Sequence, residues 1–206
     1  MNKTKIEWCD YTWNPVVGCK NGCWYCYAKR MNDRFKWIFD WEKPEFFSRR
    51  LYEPYKIKKS SKIFIGSMCD LFGDWIPSKW IDMILVTVKE NPQHTFQFLT
   101  KNPKRYLEFD FPENCWLGAT ITESNLSAIG KLVSLRNTEN YKFVSIEPIL
   151  GDMSLLNLEE IDLVIVGAMT GGGAIPPKRE WIDSIKHPNI FYKNNIKKYL
   201  TNKFNK

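Results

Sequence analysis

Seven times along the chain, a short run of apolar, β-branched or aromatic residues ends in small, polar or ionisable ones. Each run then gives way to a stretch that can be helical. The runs cover 13–18, 62–67, 95–100, 115–121, 142–147, 162–167 and, more weakly marked, 189–193. They alternate little between apolar and polar, which is the pattern of strands covered on both faces of a parallel sheet. Between them, Pro77 opens a helix that runs through Val88. Ser124 to Leu135 forms another, with Leu126, Ile129, Leu132, Val133 and Leu135 on its apolar side, and a third starts at Trp181. Six or seven βα units in 206 residues predict an α/β fold, a partial TIM-like (β/α)6 barrel short of the full eight. An open doubly wound sheet has the same periodicity, and periodicity does not separate the two.

Both architectures gather chemistry where the strands end. Those ends read Gly18-Cys19, Gly66-Ser67-Met68-Cys69-Asp70, Leu99-Thr100-Lys101, Ala119-Thr120-Ile121-Thr122-Glu123, Ser145-Ile146-Glu147-Pro148 and Gly167-Ala168-Met169. The strand starts lack such residues. No linker or low-complexity stretch interrupts the chain, so residues 1–206 read as one domain with a basic C-terminal segment, 186–206. That segment holds six lysines and no acid, and the net charge of +7 falls to +1 without it. It can grip phosphates, although its Lys, Asn, Ile, Phe and Tyr content is also what an AT-rich coding sequence produces. A hydrophobic share of 44% excludes general disorder. The absence of a long apolar run and of an apolar N-terminal core points to a cytoplasmic protein without membrane contact.

Six cysteines in a reducing compartment are not expected to form disulfides. Three of them, Cys19, Cys23 and Cys26, crowd into eight residues directly after the first strand, in the spacing C-x3-C-x2-C with Tyr25 just before the third. A [4Fe–4S] cluster normally takes four thiolates, so a loop offering three leaves one iron open to a small ligand. The competing reading is zinc, which wants four ligands and would have to recruit Cys9 or His94.

The spacing, the aromatic position and the placement after strand one resemble the radical S-adenosylmethionine (SAM) superfamily. A narrower resemblance runs through Lys5-Ile6-Glu7-Trp8, Thr12-Trp13-Asn14-Pro15, Ser67-Met68-Cys69-Asp70-Leu71-Phe72, Leu99-Thr100-Lys101 and Phe143-Val144-Ser145-Ile146-Glu147-Pro148. It is to an uncharacterised phage and bacterial three-cysteine-motif family. These resemblances imply Cys19, Cys23 and Cys26 as cluster ligands, SAM as the second cofactor, and cleavage of SAM to a 5′-deoxyadenosyl radical. An electron donor such as flavodoxin or ferredoxin is implied as well.

The other strand ends then acquire candidate roles. Ser67 and Asp70 stand where superfamily members contact the SAM amino group, although Asp70 could instead cap a turn. Thr120, Thr122 and Glu123 occupy the usual ribose and carboxylate place, with a helix cap as the alternative for the last two. Glu147 is expected to reach SAM or substrate, or else to form a salt bridge. Gly167 and Ala168 should lie against the adenine, with Tyr25 nearby. Lys101 and Lys193 close two strands and could meet a carboxylate or phosphate. Cys69 could donate a hydrogen atom to a substrate radical, or simply be small and buried.

The substrate expected is a nucleic acid or nucleotide, through base modification or lesion repair. A barrel lacking strands is open sideways, and aromatics from Trp37 to Tyr55 are interleaved with cations from Lys36 to Lys59. A radical SAM enzyme for a small metabolite and a non-catalytic zinc- or cluster-stabilised binding module are the alternatives.

Overall fold

The computed structural model describes residues 1–200; Lys203 and Lys206 of the basic segment lie outside the described residues. Its strands are β1 (Asn2–Lys3), β2 (Tyr11–Trp13), β3 (Val16–Val17), β4 (Glu45–Phe46), β5 (Lys62–Ile65), β6 (Thr95–Thr100), β7 (Cys115–Thr120), β8 (Tyr141–Ile146), β9 (Leu163–Val166) and β10 (Ile190–Tyr192). The helices are α1 (Tyr27–Phe35), α2 (Ser78–Lys89), α3 (Leu126–Arg136), α4 (Arg179–Asp183) and α5 (Asn194–Leu200). One eight-stranded sheet runs in the order β1-β2-β5-β6-β7-β8-β9-β10, and β3 pairs with β4 apart from it. Every neighbouring pair from β2 to β10 is parallel. A doubly wound sheet reverses its strand order at the switch point. This order follows the chain without reversal, so right-handed crossovers carry the connections to one face and the sheet curls as a barrel. Among the described residues β2 and β10 do not pair, and the barrel stays partial.

Two expectations need correction. The run 13–18 is not one strand: β2 stops at Trp13 and β3 joins another sheet. Pro15 has no N–H for the ladder, and Asn14 turns its side chain to Ser67 and Met68 instead. The helix after β7 starts at Leu126, capped by Asn125, whose side chain accepts from the Ala128 N–H. Its buried face is only Ala128, Leu132 and Leu135, while Leu126, Ile129 and Val133 face outward.

Strand alternation sorts the sheet into two faces. Ile63, Ile65, Phe96, Phe98, Leu117, Ala119, Val144, Ile146, Val164 and Val166 join the main core. Phe64, Gln97, Gly118 and Phe143, of opposite parity, turn to the lumen. There the Trp8 ring packs 4.7 Å from Phe64 and 5.8 Å from Phe143. Gln97 donates to the Trp8 carbonyl at 3.4 Å. Gly118 is the reason the Phe143 ring fits, because a Cβ there would stand 2.4 Å from it.

Candidate active site

The cysteine loop starts where β3 ends. Gly18 has φ +109°, and a Cβ on it would lie 2.8 Å from the Pro44 Cα and 2.9 Å from the Trp41 carbonyl. Glycine therefore satisfies both the left-handed backbone and the close approach of 38–44. The approach is sealed by the Cys19 N–H donating to the Trp41 carbonyl at 2.8 Å. Cys26 caps α1 and its sulfur accepts from the Lys29 N–H at 3.3 Å, facing the positive end of the helix. Burial pushes the Cys19 thiol up to about 11, and Asp70 and Cys23 act in the same direction. Among the described residues no three His, Cys, Asp or Glu side chains gather as a single-ion site.

All three cysteines line one cavity of about 380 Å³ at the C-terminal ends of the strands. That volume falls in the ligand-pocket range of ~300–1,000 Å³. Tyr25, Ser67, Cys69, Asp70, Lys101, Thr120, Glu147, Ala168 and Lys193 line it too. Thr122, Glu123 and Gly167 do not. The Thr122 carbonyl accepts from the Leu150 N–H, and Glu123 accepts from the Asn125 side chain, so both brace the loop beside α3. Gly167 faces a carboxylate rather than an open face, since its Cβ would lie 2.7 Å from the Glu147 carboxyl carbon.

Several expected contacts are already occupied within the chain. The Asp70 carboxylate, almost wholly buried, accepts from Thr100 Oγ1 at 2.5 Å, Asn21 Nδ2 at 2.8 Å and the Lys101 N–H at 3.0 Å. It ties the cysteine loop to β6. The Ser67 hydroxyl is held by Asn14 at 3.0–3.1 Å, and Asn14 is fixed in turn by Arg50, which donates to its carbonyl at 2.7 Å. Glu147 forms a half-buried ion pair with Lys193 at 2.5 Å, the salt-bridge alternative of the sequence, while still lining the cavity. The Ala168 backbone is held on both sides by the Asn195 side chain.

Other groups keep free faces. The Lys101 ammonium stands 5.6 Å from the Tyr25 ring centroid, and burial raises the Tyr25 hydroxyl above its ordinary range. Burial, with Cys19 and Asp70 nearby, pushes the Cys69 thiol well up. Sequence reasoning missed Trp8, Asn21, Lys131 and Arg30. The half-buried Lys131 ammonium donates to the Thr120 carbonyl at 3.3 Å, and burial and Lys101 push it below the usual lysine range. Arg30 of α1 reaches the Thr170 carbonyl at 3.1 Å, bridging the cysteine loop's helix and the loop after β9. Asn14-Pro15 was a readable signal for a turn; Lys131 sits in an ordinary helix and gave none.

A parallel, chain-ordered, incomplete barrel with its cavity at the strand ends has a partial TIM-like architecture. Two solved structures share that fold. One is a double mutant of spore photoproduct lyase with bound AdoMet and dinucleoside spore photoproduct, with a TM-score of 0.54 and 12% identity over 82% of this chain and 58% of that one. The other is spore photoproduct lyase complexed with dinucleoside spore photoproduct, with a TM-score of 0.52 and 11% identity over 81% and 58%. The chain thus spans less than two thirds of the length of those proteins. No curated protein matches its sequence. The model for the family described as protein of unknown function DUF5131 matches residues 3–194, and the chain belongs to that family. The match adds nothing on phages. Among the described residues no helix is long and apolar enough to cross a membrane.

Proposed function

We propose that the chain is a radical SAM enzyme that holds a [4Fe–4S] cluster on Cys19, Cys23 and Cys26 and acts on a nucleotide or nucleic acid. The observation that carries the reading is the position of three thiols on one loop at the wall of a cavity formed by the strand ends. The donor set suits a cluster. The three thiolates the loop can supply are a cluster's usual donors, one short of its normal four. Cys9 lines a second cavity at the strand starts and His94 is buried just before β6, so both fourth zinc ligands named from the sequence lie at the far end of the barrel, while Cys69 shares the cavity with the three cysteines.

When bound, the cluster supplies the electron, delivered by an outside donor such as flavodoxin or ferredoxin, that splits SAM into methionine and a 5′-deoxyadenosyl radical. The chain's own residues would bind, orient and shield. Asp70 fixes the cysteine loop through Asn21. Tyr25 and Lys101 form an aromatic and cationic wall. Asn195 orients the Ala168 backbone, which would face the adenine, and the Glu147–Lys193 pair beside Gly167 offers both charges to the cavity. Cys69 lines the cavity with its thiol kept protonated by burial, and would hand its hydrogen atom to a substrate carbon radical, leaving a thiyl radical. The open barrel side and the dinucleoside held by the structural neighbours support a nucleotide substrate.

Anaerobic reconstitution with iron and sulfide tests the reading. Expected are an electron paramagnetic resonance signal of a reduced four-iron cluster that shifts on adding SAM, and 5′-deoxyadenosine formation, both lost in Cys23→Ala. Stoichiometric zinc without a SAM effect would overturn it and favour the binding module.

A further inference from the structure

The aromatic and cationic residues between Trp37 and Tyr55 divide into two groups in the structure. Most are spent on packing: Trp41 is buried, Phe46 stacks on Trp80 at 5.3 Å, Phe47 lies under Arg50 at 4.1 Å, and the Tyr55 hydroxyl donates to Glu90. The exposed large side chains concentrate instead on the cysteine loop, α1 and the turn after it. Tyr27, Met31 and Phe35 follow at i, i+4 and i+8 on the outer face of α1, and Trp37 and Phe39 continue the row. Phe35 is 53% exposed, Trp37 43% and Phe39 101%.

This row is not loose. Lys36 ends α1 in the left-handed conformation, with its N–H on the Asn32 carbonyl. The buried Asn32 side chain donates to the Ile38 carbonyl at 3.1 Å and accepts from its N–H at 3.0 Å. Ile38 points into the small core of Val17, Ala28, Trp41 and Met68, which sends its neighbours Trp37 and Phe39 outward. Phe35 and Trp37 stack at 5.4 Å, and the Arg34 guanidinium lies 5.1 Å from the Phe35 centroid. Residues 18–43 carry six cations against three acids. One end of the row is Tyr27, which lines the cavity.

We infer that the row from Tyr27 to Phe39 is a pre-formed stacking platform for single-stranded nucleic acid, leading one base toward the cavity. The inference rests on the proposed nucleotide substrate and names its form. Trp37, backed on one side by Phe35, and the fully exposed Phe39 offer flat faces that accept any base, and the surrounding cations neutralise the phosphates between bases. A protein partner would demand matched side chains; a strand needs only this alternation of flat rings and positive charge.

Fluorescence anisotropy of a labelled oligothymidylate of about 20 nucleotides, titrated with the full-length chain at several salt concentrations, tests it. Binding is read without SAM or turnover. Phe35→Ala/Trp37→Ala/Phe39→Ala is expected to bind about tenfold more weakly or worse. Arg34→Ala/Lys36→Ala should reduce the slope of log affinity against log salt by about 1.4, two phosphates at about 0.7 each. A variant with Trp37→Phe and Phe39→Tyr retains flat rings and should bind as the parent does, which separates stacking from damage to the fold. Parent-like affinity of the triple alanine variant would overturn the platform, as would self-association through this row with no response to the oligonucleotide. If the parent forms 5′-deoxyadenosine but binding ignores the row, the platform fails and the enzyme reading stands. If no deoxyadenosine forms yet binding needs the row, the reverse holds.

Discussion

Asp70→Ala would expose how the cysteine loop is held. The carboxylate is 6% exposed and accepts three hydrogen bonds, at 2.5, 2.8 and 3.0 Å, from Thr100, Asn21 and the Lys101 amide. A bond to a charged group contributes about 1.5–3 kcal/mol net, and three sharing one acceptor are not additive. The change also strands buried donors, since Thr100 itself accepts from the Asn102 N–H at 2.9 Å and anchors the turn after β6. A loss of roughly 3–5 kcal/mol follows. In a chain this size that is a fall in Tm of roughly 6–20 °C. Asp70→Asn keeps the shape and one acceptor but sets an N–H against partners that all donate, so about 1–2 kcal/mol should be lost. Thermal unfolding of the apo-protein measures the stability, and iron per chain after reconstitution measures the consequence for the loop. The alanine variant should load far less iron than the asparagine one. A Tm within about 2 °C of the parent together with full iron loading would refute the anchoring role.

Two further perturbations address the barrel wall. Gly118→Ala places a methyl 2.4 Å from the Phe143 ring, a clash worth about 1–3 kcal/mol that Gly118→Ala/Phe143→Leu should largely relieve, as read by chemical denaturation. Burial raises the Cys115 thiol to about 12 from 9.0, so the folded chain keeps a proton there that the unfolded chain loses above pH 9. Stability must therefore fall between about pH 9 and pH 12, and Cys115→Ala should remove about 1.4 kcal/mol per pH unit of that slope; identical alkaline slopes would contradict it.

The fold was legible because its signal is repeated and local. Runs such as 95–100 and 115–120 are buried on both faces, and a strand of that kind announces itself without reference to its neighbours. Choosing the barrel over the open sheet depended on the cysteine loop, and the strand order agrees. What stayed hidden depends on contacts between distant parts of the chain. Asp70 and Glu147 were readable as acids at strand ends, but their partners Asn21 and Lys193 lie 49 and 46 residues away. Spacing cannot reveal such pairings. The apolar stripe of α3 was misjudged for a related reason: periodicity marks which residues share a face, while the width of the buried face is set by what the helix lies against.

The Trp8 indole packed between Phe64 and Phe143 also bears on the cavity above it. Among the described residues it is the one that lines both the cavity at the strand ends and the cavity at the strand starts. The barrel thus owes its floor to a ring supplied by a segment outside the strands. Without that ring only Phe64, Phe143 and Gln97, its packing partners, would stand between the two cavities. The seal between the two cavities and the cysteine loop are thus set by different segments of the chain, so either can be lost without the other.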